Sequence, residues 1–106
     1  ARQWNPEKFD ADAWADVFVK AGFRYACLTA RHHDGYCLWD TKTTDYNSMA
    51  QAAGRDLVRE YTEAMRRKGL RVGLYYSWCD WRQPAYYEGP GKNPEGFLKV
   101  NKIRKN

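Results

Sequence analysis

The chain has 106 residues and a formal net charge of +5, with 43% hydrophobic and 29% charged residues. This balance excludes a disordered chain, and no apolar run approaches the roughly 20 residues that a membrane-spanning helix needs. The first residues lack the apolar core of a signal peptide, and the sequence does not begin with Met. We therefore expect a small domain, or part of a larger one, that is not a membrane protein and whose compartment stays unassigned.

The basic residues are spread along the sequence and do not form one patch. The densest groups are Arg66–Lys68 and Lys102–Lys105. The first fits the last turn of a helix, where cations suit the helix dipole, and the second fits a solvated end. We therefore expect no nucleic-acid partner.

The first predicted element is a helix over Ala11–Ala21. Asp10 is placed to cap it, and Phe9 and Trp14 are placed as the two residues of a hydrophobic staple. Gly22 is expected to end the helix. Apolar residues at helical spacing predict one buried face, made of Trp14, Val17, Phe18 and Ala21.

An almost unbroken apolar run, Tyr25–Ala30, follows the helix. It is too short for a helix and does not alternate, so it predicts a strand buried on both faces. The next segment, from Arg31 to Gly54, is long, polar and irregular. Connections of that length inside compact domains are usually either functional or disordered.

The second unit repeats the first: a helix over Arg55–Lys68 and then a buried strand over Leu70–Ser77. The predicted apolar face of this helix is Leu57, Val58, Tyr61, Ala64 and Met65. Its exposed side offers two charged pairs at i, i+4 spacing, Arg59–Glu63 and Glu63–Arg67. A second long polar stretch, Trp78 to Glu95, comes after the strand.

This alternation of helix, strand and long loop predicts a parallel α/β sheet. Both long connections follow strands, as they do on the active face of a (β/α)8 TIM barrel, which needs roughly 250 residues. We predict an α/β fragment of such a barrel, about two β/α units, whose strands pair side by side in parallel through a right-handed crossover. A doubly wound open sheet is the rival, but its Gly-rich phosphate loop is missing.

Two adjacent histidines follow the first predicted strand, in the run Ala30-Arg31-His32-His33-Asp34-Gly35. A neutral imidazole offers one donor and one acceptor, which suits the neighbouring hydroxyls of a sugar. Two other interpretations stay open: a structural pair that holds its own loop, and a metal site of His32, His33 and Asp34. Consecutive residues rarely converge on one ion, and the chain has neither another histidine nor a CxxC pair.

The run from Tyr25 to Trp39 resembles the signature stretch of glycoside hydrolase family 29, the α-L-fucosidases. The similarity covers roughly residues 5 to 98 in the family's order, and its later blocks are Thr44–Asn47, Arg55–Val58, Gly69–Ser77 and Asp80-Trp81. The resemblance implies that residues 1–106 are a partial catalytic barrel domain. It also implies a helix after Phe97, which the polar run Val100–Asn106 supports poorly.

The resemblance also implies which residues bind the substrate. It places His32 and His33 against fucose hydroxyls and Tyr75 in the same pocket. Trp39 and Trp81, in the two long loops, are expected to shape the pocket wall, with ordinary loop packing as the alternative. None of these five residues is expected to be catalytic.

The family's retaining mechanism uses one carboxylate as nucleophile and another as acid/base. The resemblance implies that both lie beyond residue 106, and no acid of this chain is assigned to either role. It implies no metal and no organic cofactor; the expected partners are fucosylated glycans or fucosides and the rest of the barrel. The alternatives are a non-catalytic carbohydrate-binding relative and a metal-dependent hydrolase.

Overall fold

The computed structural model describes residues 3–82, in which two helices alternate with two strands. The elements are α1 (Ala11–Lys20), β1 (Tyr25–Arg31), α2 (Leu57–Arg67) and β2 (Arg71–Tyr76). Neither helix of this part is long and apolar enough to cross a membrane. Most of the predicted loop from Trp78 to Glu95 and the helix expected after Phe97 lie outside the described residues.

The two strands form one parallel sheet, which confirms that part of the topology prediction. Ala26 lies opposite Val72, and an irregularity in the pairing falls between Thr29 and Arg31. The carboxyl ends of both strands therefore lie at the same edge of the sheet. The right-handed sense of the crossover through α2 stays a prediction.

The start of α1 forms as predicted. The Asp10 carboxylate accepts a hydrogen bond of 2.9 Å from the Ala13 backbone N–H, which satisfies one of the unpaired donors of the first turn. The rings of Phe9 and Trp14 meet edge to face, with centroids 5.1 Å apart. The helix ends at Lys20, and Gly22 follows with a φ of 81°.

Of the predicted apolar face of α1, Phe18 packs against the core, whereas the residues turned most fully to α2 are different ones. Ala11 and Ala15 are buried, whereas Trp14 is 45% and Val17 is 61% exposed within this chain. The reason is the packing against α2, because small alanine side chains let two helices approach closely. The shared core consists of Ala11, Ala15, Tyr61, Ala64, Met65 and Leu70.

The second helix buries the face that its sequence predicts. Leu57, Tyr61, Ala64 and Met65 are buried, and Val58 is half-buried. Asp56 is the cap, and its carboxylate accepts a bond of 2.8 Å from the Arg59 backbone N–H. The helix therefore begins two residues later than predicted.

Two of the charged residues near α2 connect to other parts of the chain. Arg55 lies before the helix and donates to the carbonyl oxygens of Pro6 and Phe9, each at 3.1 Å. The pair Arg59–Glu63 forms at 2.9 Å, but Arg67 pairs with Asp12 of α1 at 2.9 Å and does not bond Glu63. Arg55 thus fastens the segment before α1, and Arg67 joins the two helices.

Within residues 3–82 only one face of the sheet is covered, so burial of the strands on both faces stays a prediction for the complete protein. Exposure alternates along β1: Ala26 and Leu28 pack on the helix core, while Tyr25 is 67% exposed. The helices cover one face of the sheet, and within residues 3–82 nothing covers the other.

The long connection between β1 and α2 is ordered. Its backbone folds back on itself: Cys37 N–H donates to the Tyr46 carbonyl at 3.1 Å, and Ser48 N–H donates to the Cys37 carbonyl at 2.8 Å. Leu38 N–H donates to the Ala30 carbonyl at 3.0 Å, which fixes the connection to the end of β1. The sequence left two interpretations of this segment, a functional loop and a disordered loop. These hydrogen bonds exclude the disordered loop.

Candidate functional site

Three of the predicted site residues meet at the carboxyl edge of the sheet. His32 and His33 follow β1, and Tyr75 lies near the end of β2. The centroids of the two imidazole rings are 4.1 Å apart, and the rings of His32 and Tyr75 stack with centroids 5.8 Å apart. The parallel pairing of the strands is what brings these side chains together.

Trp81 joins the same group from the segment after β2. Its indole lies 5.4 Å from the His33 ring, measured between centroids. Its backbone N–H donates to the His33 carbonyl at 2.8 Å, which fixes the segment beside the histidines. We call this group, His32, His33, Tyr75 and Trp81, the ring cluster.

Trp39, the fifth predicted residue, does not belong to the ring cluster. Its ring packs at 6.2 Å from that of Tyr76, and side chains of consecutive strand residues point to opposite faces. Trp39 and Tyr76 instead line a separate cleft of about 400 Å³. The other side chains around this cleft include Thr43, Thr44, Tyr46, Trp78 and Arg82.

Arg31 and Asp80 form a salt bridge beneath the site, which the sequence did not predict. The Arg31 side chain is 8% exposed and that of Asp80 is 15% exposed. Arg31 also donates to the Ser77 carbonyl at 2.8 Å. The pair therefore ties the end of β1 to the segment that follows β2. Arg31 is charged within a strand-end motif, and that signal could have indicated a buried partner.

Gly35 makes this arrangement possible. Its φ is +80°, and a Cβ at this position would lie 2.8 Å from Asp80 Oδ1. The Gly35 N–H donates to the His32 carbonyl at 3.0 Å, which closes the turn that carries both histidines. Only glycine combines this φ with room for the Asp80 carboxylate.

Ser77 is a further residue that the sequence interpretation missed. It is 3% exposed, and its Oγ is hydrogen-bonded to Nδ1 of His33. A small polar residue directly after an apolar strand was the available signal. The bond holds the Nδ1 edge of the His33 ring within the ring cluster.

Cys37 lies inside the cleft wall but is not set up as a nucleophile. It is 3% exposed, and burial raises the pKa of its thiol, an effect that the nearby Arg31 guanidinium opposes. Its Sγ lies 3.7 Å from the Gly35 carbonyl oxygen. A protonated, buried thiol of this kind fills space and does not react.

The part of the chain that the structure describes contains no set of side chains that could bind a metal ion. Among residues 3–82, no three His, Cys, Asp or Glu side chains come together in a way that could hold a metal ion. Asp34 therefore does not complete a site with His32 and His33.

A sequence model described as Alpha-L-fucosidase matches residues 1–102. The chain belongs to the α-L-fucosidase family. The resemblance inferred from the sequence blocks is thereby confirmed. Among curated relatives, the α-L-fucosidase of Dictyostelium discoideum is 39% identical over 98 residues, which are 90% of this chain and 21% of the relative. The chain thus spans about a fifth of the length of this relative.

Solved structures of the family show the same local fold. The α-fucosidase of Thermotoga maritima in complex with fucose is 44% identical, with a TM-score of 0.77 over 94% of this chain and 23% of that one. An α-L-fucosidase of Bacteroides thetaiotaomicron, a trapped covalent intermediate with 2-fluoro-fucosyl fluoride, is 33% identical with a TM-score of 0.79. That match covers 98% of this chain and 25% of the neighbour.

Proposed function

We propose that the complete protein containing this chain is a retaining α-L-fucosidase that hydrolyses α-L-fucosyl bonds in glycans or fucosides. The observation that carries the proposal is the meeting of His32, His33 and Tyr75 at one strand edge in a member of the α-L-fucosidase family. We further propose that residues 1–106 are part of a (β/α)8 barrel. The parallel pairing of β1 and β2 around α2 supports this fold.

In this proposal the ring cluster is part of the fucose pocket. The imidazoles of His32 and His33 exchange hydrogen bonds with sugar hydroxyls, and the rings of Tyr75 and Trp81 pack against the C–H faces of the sugar. Trp39 contributes from the neighbouring cleft, where it contacts Tyr76. These residues bind and orient the sugar and take no part in bond breaking.

The chemistry requires two carboxyl groups. One attacks the anomeric carbon while the other protonates the departing oxygen, and water then hydrolyses the covalent fucosyl intermediate. Asp80, which lies close to the site, is paired with Arg31 in a salt bridge. We therefore propose that residues outside these 106 supply both carboxyl groups. Two carboxyl groups suffice for this mechanism, so the proposal includes no metal and no organic cofactor.

Two measurements on the complete protein test the proposal together: turnover of a chromogenic α-L-fucoside and calorimetric binding of L-fucose. We expect both turnover and binding, and neither should change after treatment with a chelator. Binding without turnover would favour a non-catalytic carbohydrate-binding relative. Loss of turnover on chelation would instead favour a metal-dependent hydrolase.

A further inference from the structure

Ser77 occupies a constrained position between the two strand ends. Its backbone N–H donates to the Arg31 carbonyl at 3.0 Å, and its own carbonyl accepts from the Arg31 guanidinium at 2.8 Å. The residue is 3% exposed. The backbone of Ser77 is thus held on both sides, and its hydroxyl has little freedom to point elsewhere.

The Ser77 hydroxyl has two hydrogen-bonding neighbours, Nδ1 of His33 and the carbonyl oxygen of Cys79. The carbonyl lies 3.4 Å from Oγ, at the long end for such a bond, and it can only accept. A hydroxyl has a single proton. Both bonds form together only if that proton points to Cys79 and His33 Nδ1 carries its own proton and donates it to Oγ.

This arrangement decides what the other nitrogen of His33 can do. In a neutral imidazole with the proton on Nδ1, Nε2 has a free lone pair and is an acceptor. Within residues 3–82 no protein atom is hydrogen-bonded to His33 Nε2, and the residue is partly exposed beside His32. Nε2 is therefore available to accept a hydrogen bond from a ligand hydroxyl.

We propose that Ser77 is a positioning residue that holds His33 as the Nδ1–H tautomer, so that Nε2 accepts a hydrogen bond from a sugar hydroxyl. The identity of the ligand rests on the proposed function, whereas the tautomer rests only on the contacts of Ser77. With its proton on Nδ1, His33 is specific for a ligand hydroxyl that donates a hydrogen bond. A ligand group that only accepts, such as fluorine in place of that hydroxyl, gains nothing at this nitrogen.

The tautomer is measured by 15N NMR of the complete protein labelled at histidine. The His33 signals are assigned as those missing from the His33→Gln variant. We expect the wild-type protein to carry the proton on Nδ1, and Ser77→Ala to shift the ring towards the Nε2–H form. Ser77→Thr keeps a hydroxyl and should keep the wild-type pattern.

Kinetics give a second readout. Removing one neutral hydrogen bond should lower kcat/KM for a chromogenic α-L-fucoside about 3- to 10-fold in Ser77→Ala, mainly through KM. Ser48→Ala is the matched control, because Ser48 is equally buried and its Oγ also bonds a backbone carbonyl, that of Arg55, at 2.6 Å. This control should change neither the His33 signals nor kcat/KM.

A wild-type protein with the proton on Nε2 of His33 would overturn the proposal, even if Ser77→Ala did not fold. So would Ser77→Ala with unchanged His33 signals and unchanged kcat/KM. The NMR measurement needs no turnover, so it separates this proposal from the proposed function. An inactive protein with the Nδ1–H tautomer would contradict the fucosidase but not the role of Ser77.

Discussion

At the scale of single residues, the two histidines differ in how the fold holds them. His33 is fastened through Ser77 and through its own carbonyl, which accepts from Trp81. His32 is more exposed and is held by ring contacts with His33 and Tyr75. Both nevertheless lie at the carboxyl edge of the sheet, so each is expected to contribute to sugar binding.

Replacing His32 or His33 by Ala in the complete protein should therefore leave one hydroxyl of the bound sugar without its hydrogen-bond partner. Leaving such a group unpaired costs about 1–3 kcal/mol, which is about 5- to 150-fold in kcat/KM. If the bonds strengthen as the sugar ring flattens, kcat falls as well as affinity. External azide should not restore the rate, because a small anion replaces a carboxylate nucleophile and not an imidazole.

Arg59→Ala is the control for these variants, since Arg59 lies on the exposed side of α2 and its only salt bridge within residues 3–82 is with Glu63. It should keep wild-type kcat/KM. Unchanged kcat/KM in both histidine variants with the fold intact would contradict the binding role, and recovery of full rate with azide would contradict the assignment of chemistry to other residues.

Cys37 allows a test of burial in the cleft wall. Because burial raises the pKa of its thiol, less thiolate is present at a given pH in the folded protein than in the unfolded one. Its alkylation by iodoacetamide should be slower in the folded protein, by about tenfold for each unit of pKa elevation, before steric protection is counted. Mass spectrometry of labelled peptides measures this rate. Equal rates with and without denaturant would contradict the buried placement.

At the scale of elements, the close contact of α1 and α2 rests on alanine. Ala15 and Ala64 are fully buried where the helices meet, so a larger side chain there would force them apart. Ala15→Leu should lower the free energy of unfolding by about 1–3 kcal/mol through overpacking. Ala13→Leu is the matched control, because Ala13 is an exposed alanine on the same helix.

Urea unfolding of the complete protein measures both variants. We expect a lower midpoint for Ala15→Leu and little change for Ala13→Leu. The reverse order would show that α1 turns a different face to α2.

Local sequence signals predicted some elements well and others poorly. The cap Asp10 is a short-range feature, because its side chain bonds a backbone group three residues away, so it was predicted from sequence. Asp56 caps α2 in the same way, although the helix was predicted to begin at Arg55. The buried face of α1 depends instead on how closely α2 approaches. Hydrophobicity alone favoured Trp14 over Ala15, although the small residue is the buried one.

The candidate site was likewise predicted in part. His32, His33 and Tyr75 lie at the parallel strand ends, and the resemblance of the sequence to the family placed them in one pocket. The separation of Trp39 from the ring cluster depends on the path of a long connection. The Arg31–Asp80 salt bridge joins residues far apart in sequence, and no local pattern records such a partner.

At the scale of the whole molecule, residues 3–82 leave large apolar side chains uncovered. Tyr25 is 67% and Trp78 is 91% exposed, and each of the two strands has an unpaired edge within this part of the chain. Such edges and faces favour aggregation. The 106 residues expressed alone should therefore be poorly stable.

The isolated chain should also show no turnover of a chromogenic α-L-fucoside, because the proposed carboxyl groups are absent from it. Size-exclusion chromatography, thermal unfolding and an activity assay on the purified 106 residues check both expectations. A well-folded monomer would show that the rest of the barrel is not needed for stability. Robust activity would show that the chain contains its own catalytic carboxyl groups.

The anomer first released from an α-L-fucoside tests most directly whether the complete protein is a retaining α-L-fucosidase. Proton NMR follows the product before mutarotation equilibrates it. A double displacement through a covalent intermediate inverts the anomeric carbon twice, so we predict that α-L-fucose appears first. The initial appearance of β-L-fucose, or the absence of any release of fucose, would contradict the account.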